Sequence, residues 1–211
     1  MKFTIVTRAF DGPLFERFKT YLPSPEVAEF MPLHGIDGFE GALDFLLQAV
    51  RRTTGKIVIC DLDCFVFDWD AVARLVESDP DYVVSERSIP HRLALPRYVG
   101  NPFFWVLDSD RAKTILGRVF ENGKARQRVR NLYSEAGDVH AEPFWGLYYL
   151  LYYVHKLPVA CIPVTTHADG IATQTPYFLH TWYSRDYGHD PEQTNRIDNL
   201  LSQLPCKPFT S

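Results

Sequence analysis

No stretch of this 211-residue sequence carries the run of about 18 apolar residues that a membrane-spanning helix needs. Even the tyrosine-rich stretch around 147–154 is brief. The opening residues, Met1 to Arg8, hold too short an apolar run for a secretory signal. These absences lead us to expect a soluble protein without membrane insertion. Cysteine is scarce: Cys60, Cys64, Cys161 and Cys206 show no metal-type spacing. Cys60 and Cys161 fall in strand-like apolar runs, which predicts buried, reduced thiols and a cytoplasmic, reducing compartment. There is no excess of positive charge either. With 22 basic against 26 acidic residues the net charge is −4, spread along the chain, so nucleic acid is not an expected partner. Internal repeats and low-complexity linkers are missing too.

What is present is a globular composition, 46% apolar and 14% aromatic, of a length that suits one domain with a substantial core. Strand and helix signals alternate. Strands are expected at Phe3–Thr7, Val27–Leu33, Ile57–Ile59, Tyr82–Val84, Phe103–Leu107 and Val159–Val164. Helices are expected at Leu14–Tyr21, Gly38–Arg52, Asp70–Ser78, Asp110–Glu121 and Pro143–Val154. In the second of these helices Phe39, Leu43, Leu46, Leu47 and Val50 share one face, which should cover a sheet. The order predicts an α/β fold: a mixed, mostly parallel sheet flanked by helices, with an irregular C-terminal segment beyond Pro176. Residues 1–211 are read as a single domain. The tail Leu204 to Ser211 carries no folding signal, so the domain is expected to belong to a longer polypeptide.

The most informative stretch is Lys56 to Asp68. Its β-formers Ile57, Val58 and Ile59 end abruptly in two carboxylates one residue apart, Asp61 and Asp63. Ligands of α/β sheets gather outside the strands' carboxyl ends. Two anions this close repel and resist burial unless a cation compensates them. Hard oxygen donors at a strand tip suit Mn²⁺ or Mg²⁺, which commonly accompany a substrate's phosphates. The bland alternative is that one carboxylate caps the helix that follows and the other is solvated.

Four features in order resemble the GT-A fold of nucleotide-sugar glycosyltransferases. They are a first strand ending in Thr7-Arg8-Ala9, the Asp61-Leu62-Asp63 turn, the segment from His140-Ala141-Glu142 through a Leu/Tyr-rich helix to His155-Lys156-Leu157-Pro158, and the late Leu179-His180-Thr181-Trp182. Within that family, length and boundary resemble a glycosyltransferase domain of chloroviruses that modifies a capsid glycoprotein. The resemblance implies a GT-A-like (Rossmann-like) domain and a metal-dependent transfer of sugar from a nucleotide diphosphate donor, a UDP-sugar, to a hydroxyl of a glycan or glycoprotein acceptor. It implies Asp61, Asp63 and His180 as ligands of Mn²⁺ or Mg²⁺. Thr7, Arg8, Asp37, Asp61 and Leu62 are then the expected nucleotide contacts.

The chain departs from the retaining members' His-Asp-Glu cluster by having Ala141 before Glu142. Glu142 therefore stands alone, with Asp138 the nearest carboxylate upstream. Both are catalytic candidates, as base or as stabiliser of a developing positive charge, and retention or inversion stays open. Glu142 as a plain helix-start charge is the alternative. Trp145 and Tyr149 are the aromatics that would stack on a sugar, while the rest of the Phe144–Tyr153 stripe reads as core. The basic run Lys124, Arg126, Arg128, Arg130 reads as a solvated face, with an anion clamp as alternative. Two other readings stand beside the transferase. Asp61-Leu62-Asp63 also resembles the first motif of haloacid-dehalogenase phosphatases, although Cys64-Phe65 replaces their usual Gly-Thr. An inactive sugar-nucleotide-binding module is the other.

Overall fold

In the computed structural model, residues 2–38, 41–87, 98–131, 144–167, 171–182 and 184–204 are described. The chain runs β1 (Phe3–Arg8), α1 (Pro13–Lys19), β2 (Ala28–Leu33), α2 (Gly41–Arg52), β3 (Lys56–Cys60), β4 (Cys64–Val66) and α3 (Trp69–Glu77). It continues through β5 (Asp81–Arg87), β6 (Tyr98–Asp108), α4 (Ser109–Glu121) and α5 (Gly123–Asn131). Then come α6 (Trp145–Tyr148), β7 (Val159–Ile162), β8 (Thr165–Thr166), β9 (Thr173–Gln174), β10 (Phe178–His180) and α7 (Pro191–Ser202). The central sheet has the order β2-β1-β3-β6-β5-β7. Pairing of β1 with β2 and β3, and of β5 with β7, is parallel, whereas β6 is antiparallel to both its neighbours. This is the expected mixed, mostly parallel α/β sheet, with β6 reversed. From β1 the chain steps outward to β2 and then returns to the other side with β3. The strand order therefore reverses between β1 and β3, the place where open α/β sheets bind ligands.

Both faces of the sheet are covered, which is why the strands read as continuous apolar runs. On one face Val6, Ile57, Ile59, Trp105 and Leu107 pack against Leu43, Leu46 and Val50 of α2, Leu116 of α4 and Leu147 of α6. On the other Phe3, Ile5, Val58, Phe104 and Val106 meet Phe15 and Phe18 of α1 and Trp69, Val72 and Val76 of α3. Of the expected α2 face, Phe39 lies outside the described residues; the rest is buried.

Several local expectations change. The helix expected from Pro143 is, among the described residues, α-helical over Trp145–Tyr148 and continues as a π-helix over Tyr149–Val154, with His155 N–H donating to Leu150 O at 3.0 Å. Gly146 explains part of the packing here, because a Cβ on it would stand 1.7 Å from Val129 O of α5. The basic run forms α5, with Arg126 pairing Asp44 at 3.3 Å. Beyond Pro176 the chain holds β10, a run of turns, and then α7, whose Asp190 caps the helix by accepting from Glu192 N–H. Cys161 is exposed and not buried, because it lies on edge strand β7; Cys60 and Cys64 are buried free thiols. Cys206 lies outside the described residues. Among the described residues no helix is long and apolar enough to cross a membrane.

A buried polar network ties the sheet's far end together. Lys56 Nζ meets Asp81 Oδ1 at 3.2 Å, Tyr152 donates to Asp81 Oδ2 at 2.8 Å, and Trp105 Nε1 donates to the Tyr152 hydroxyl at 2.8 Å.

Candidate active site

Asp61 and Asp63 occupy the tight turn that leaves β3. Asp61 N–H donates to Phe103 O of β6 at 2.9 Å, and Cys64 N–H closes the turn onto Asp61 O at 3.0 Å. The helix-capping alternative is answered directly: α3 is capped by Asp68, which accepts from Ala71 N–H at 2.8 Å. Neither site carboxylate is spent on that helix.

His180 reaches the turn through a strand pairing. Antiparallel β4 and β10 place His180 opposite Cys64, and Thr181 N–H donates to Asp63 O at 2.9 Å. The imidazole Nε2 then lies 3.1 Å from Asp63 Oδ1. The ring is stacked on Phe103, centroids 3.9 Å apart and planes 7° from parallel, with Trp182 edge-on at 4.3 Å. It is 2% exposed, and its Nδ1 has no hydrogen-bond partner. One donor atom from each of Asp61, Asp63 and His180 lies within 4.8 Å of the others. Among the described residues these form the one group of this kind. Two carboxylates and an imidazole suit a small divalent ion such as Mn²⁺.

The electrostatics of the two aspartates differ. Burial, reinforced by the Asp63 carboxylate, pushes Asp61 up to about 6 against the pull of His180, Arg8 and Arg185. For Asp63 burial also works upward, but the charge and hydrogen bond of His180, with help from Arg185, outweigh it and hold Asp63 below the usual carboxylate value. One carboxylate is thus paired and the other is short of a cation.

Asp61 and Asp63, with the buried His180 behind them, face a cleft of about 410 Å³ at the switch point between β1 and β3, lined also by Arg8, Phe10, Asp11, Leu62, Arg185 and His189. Arg8 donates to Gly38 O at 3.2 Å and lies over the Phe10 ring. Gly188, at φ +83°, packs so closely on Pro13 that no side chain would fit, which seats the loop bearing Arg185 and His189 against the start of α1.

Of the expected nucleotide contacts, Arg8, Asp61 and Leu62 line this cleft. Thr7 and Asp37 do not. The alternation of β1 turns Thr7 to the side of Phe3 and Ile5, away from Arg8, where it is fully buried, and Asp37 is exposed on a loop whose Gly38 faces the cleft instead. Glu142 and Asp138 lie outside the described residues. Trp145 and Tyr149 pack against the core on the α2 side and do not line the cleft, and neither do Lys124, Arg126 or Arg128. Arg185 and His189 escaped the sequence reading, since an exposed arginine in a polar turn carries no periodic or motif signal.

No known protein family and no curated protein matches the sequence. Among solved structures, the glycosyltransferase GlyE of Streptococcus pneumoniae is 16% identical, over 97% of this chain and 53% of that chain, with a TM-score of 0.39. Its apo form matches at 14% identity over 76% and 45%, also with a TM-score of 0.39. The chain spans about half the length of GlyE. The 2-C-methyl-D-erythritol 4-phosphate cytidylyltransferase of Thermus thermophilus is 12% identical over 95% of this chain and 98% of that one, with a TM-score of 0.42. At these values the functional reading rests on the site.

Proposed function

We propose that the chain is a metal-dependent glycosyltransferase that moves a sugar from a nucleotide diphosphate, a UDP-sugar, to a hydroxyl of a glycan or glycoprotein. The observation that carries this reading is that Asp61 and Asp63, clustered with the buried His180, face one cleft with two arginines, Arg8 and Arg185, at the strand-order reversal. Both carboxylates and the imidazole would hold Mn²⁺ or Mg²⁺, which supplies charge neutralisation for a departing diphosphate. Arg8 and Arg185 add fixed positive charge on the phosphate side, where pre-placed charge lowers the barrier to bond breaking. Leu62 and Phe10 offer apolar surface for the nucleoside. The acceptor-side carboxylate is assigned to Glu142, with Asp138 as its alternative, on the sequence alone.

The phosphatase alternative would use Asp61 as nucleophile and would need further acids to hold Mg²⁺. Among the described residues no second metal-capable cluster occurs. Against an inactive binding module stands the clustering of Asp61, Asp63 and His180 within 4.8 Å of one another, a donor set suited to a catalytic ion.

Calorimetry with UDP tests the proposal. UDP is expected to bind far more tightly with Mn²⁺ than after EDTA, since its phosphates would otherwise face two bare carboxylates. Equal affinity in both conditions overturns the metal–diphosphate reading. Metal-dependent hydrolysis of p-nitrophenyl phosphate that is lost in Asp61→Asn would make the protein a phosphatase.

A further inference from the structure

Phe103 touches the metal triad twice, by two different parts of the residue. Its carbonyl oxygen accepts from Asp61 N–H at 2.9 Å, which fixes where the first carboxylate leaves β3. Its ring lies flat on the His180 imidazole at 3.9 Å and 7°. The imidazole's one hydrogen-bonding contact is Asp63 itself, and the distal nitrogen that usually anchors a metal-binding imidazole to a carboxylate or carbonyl has no partner. Trp182 stands beside the stacked pair, meeting the imidazole at 4.3 Å and the Phe103 ring at 5.4 Å. Trp182 is itself pinned, donating from Nε1 to Thr173 Oγ1 at 2.8 Å.

We infer that Phe103, assisted by Trp182, is the positioning residue of the metal site. The stacked Phe103 face, with Trp182 at the imidazole's edge, performs the orienting task that a hydrogen bond to the second imidazole nitrogen ordinarily performs. The inference rests on the metal-site reading above. A ring laid flat on a second ring resists tilting out of that plane, and Trp182 at its edge limits sliding within it, so Nε2 stays directed at Asp63. Phe103 is 1% exposed, so it contributes to the core as well. The experiment must therefore separate positioning from general stability.

The test is Mn²⁺ binding to the full chain without nucleotide, by calorimetry or by loss of the free Mn²⁺ paramagnetic resonance signal. Phe103→Leu keeps the carbonyl that holds Asp61 and removes only the flat face. It is expected to weaken Mn²⁺ about tenfold, the scale of losing an orienting partner of a metal ligand. In the His180→Ala background the same substitution should change affinity less than about twofold. A general packing defect would act in both backgrounds. Phe103→Met, close in volume, and Trp182→Leu, at a half-buried position, repeat the comparison should Phe103→Leu not fold. Wild-type Mn²⁺ binding that these variants leave unchanged overturns this inference alone. A wild-type chain that binds no Mn²⁺ overturns the metal site and the inference with it.

Discussion

The His180 imidazole and the Asp63 carboxylate meet at 3.1 Å although 117 positions separate them in the chain. The β4–β10 pairing brings the two residues together. The segment beyond Pro176, expected from the sequence to be irregular, is anchored on both sides of His180. Phe178 and Leu179 are buried, and Tyr187 packs with Ile197 and Leu200, so aromatic and α7 side chains supply the anchorage.

The two aspartates should therefore respond oppositely to neutralisation in metal-free protein. Asp61→Asn removes a buried charge without a dedicated partner and should raise stability at pH 7 by about 1–2 kcal/mol, allowing for the part of the group that reaches solvent. Asp63→Asn breaks the pair with His180 and should lower it. Urea denaturation of both variants in EDTA checks the signs. Neither should show the Mn²⁺-induced rise in Tm expected of the wild type.

Metal affinity should depend on pH through Asp61. Its carboxyl, raised to about 6, holds a proton that the ion must displace, so affinity falls as pH drops through that value. Between pH 7 and pH 5 the loss should be about tenfold, the proton occupancy expected one unit below the titration point. The stability sign is the reverse. A raised folded value favours the protonated form, so Asp61's contribution is full below about 4 and is lost as pH rises through 6. Calorimetry at several pH values, with thermal melts in EDTA beside it, reads both.

Lys56→Met should cost about 3–5 kcal/mol, because it strands the Asp81 carboxylate in the sheet. Burial already outweighs the Tyr152 hydrogen bond and the Lys56 charge and raises Asp81. Without Lys56 the residue can escape by taking a proton, so the penalty should shrink as pH falls. Denaturation at pH 8 and pH 5 measures the difference.

Gly146→Ala should destabilise by about 3 kcal/mol, since the added methyl meets the Val129 carbonyl and not a yielding side chain. Gly117→Ala, with open space around the same atom, is the control and should be neutral or slightly stabilising.

The sequence by itself determined the pieces whose signals are local. β3 is legible because a strand covered on both faces must be apolar throughout, and its end is legible because Asp61 and Asp63 stop the run. The faces of α2 and α3 are legible from helical spacing. The turn caps of α1 and α7, with Pro at the first helical position, are local too, yet α7 was overlooked amid polar residues. What only the tertiary structure decided is everything that depends on a partner far along the chain. The direction of β6 leaves no trace in Phe103 to Leu107, because side chains alternate alike whichever way a strand runs. β4 and β10 have three residues each, too short for a period, and exist only because they pair. Their pairing puts His180 on Asp63 and lays the imidazole on the Phe103 ring of the central sheet. Arg185 joins the cleft because Gly188 lets its loop settle on Pro13. Carboxylates announce their chemistry in sequence, but the geometry that unites them is made by contacts between residues that no local pattern connects.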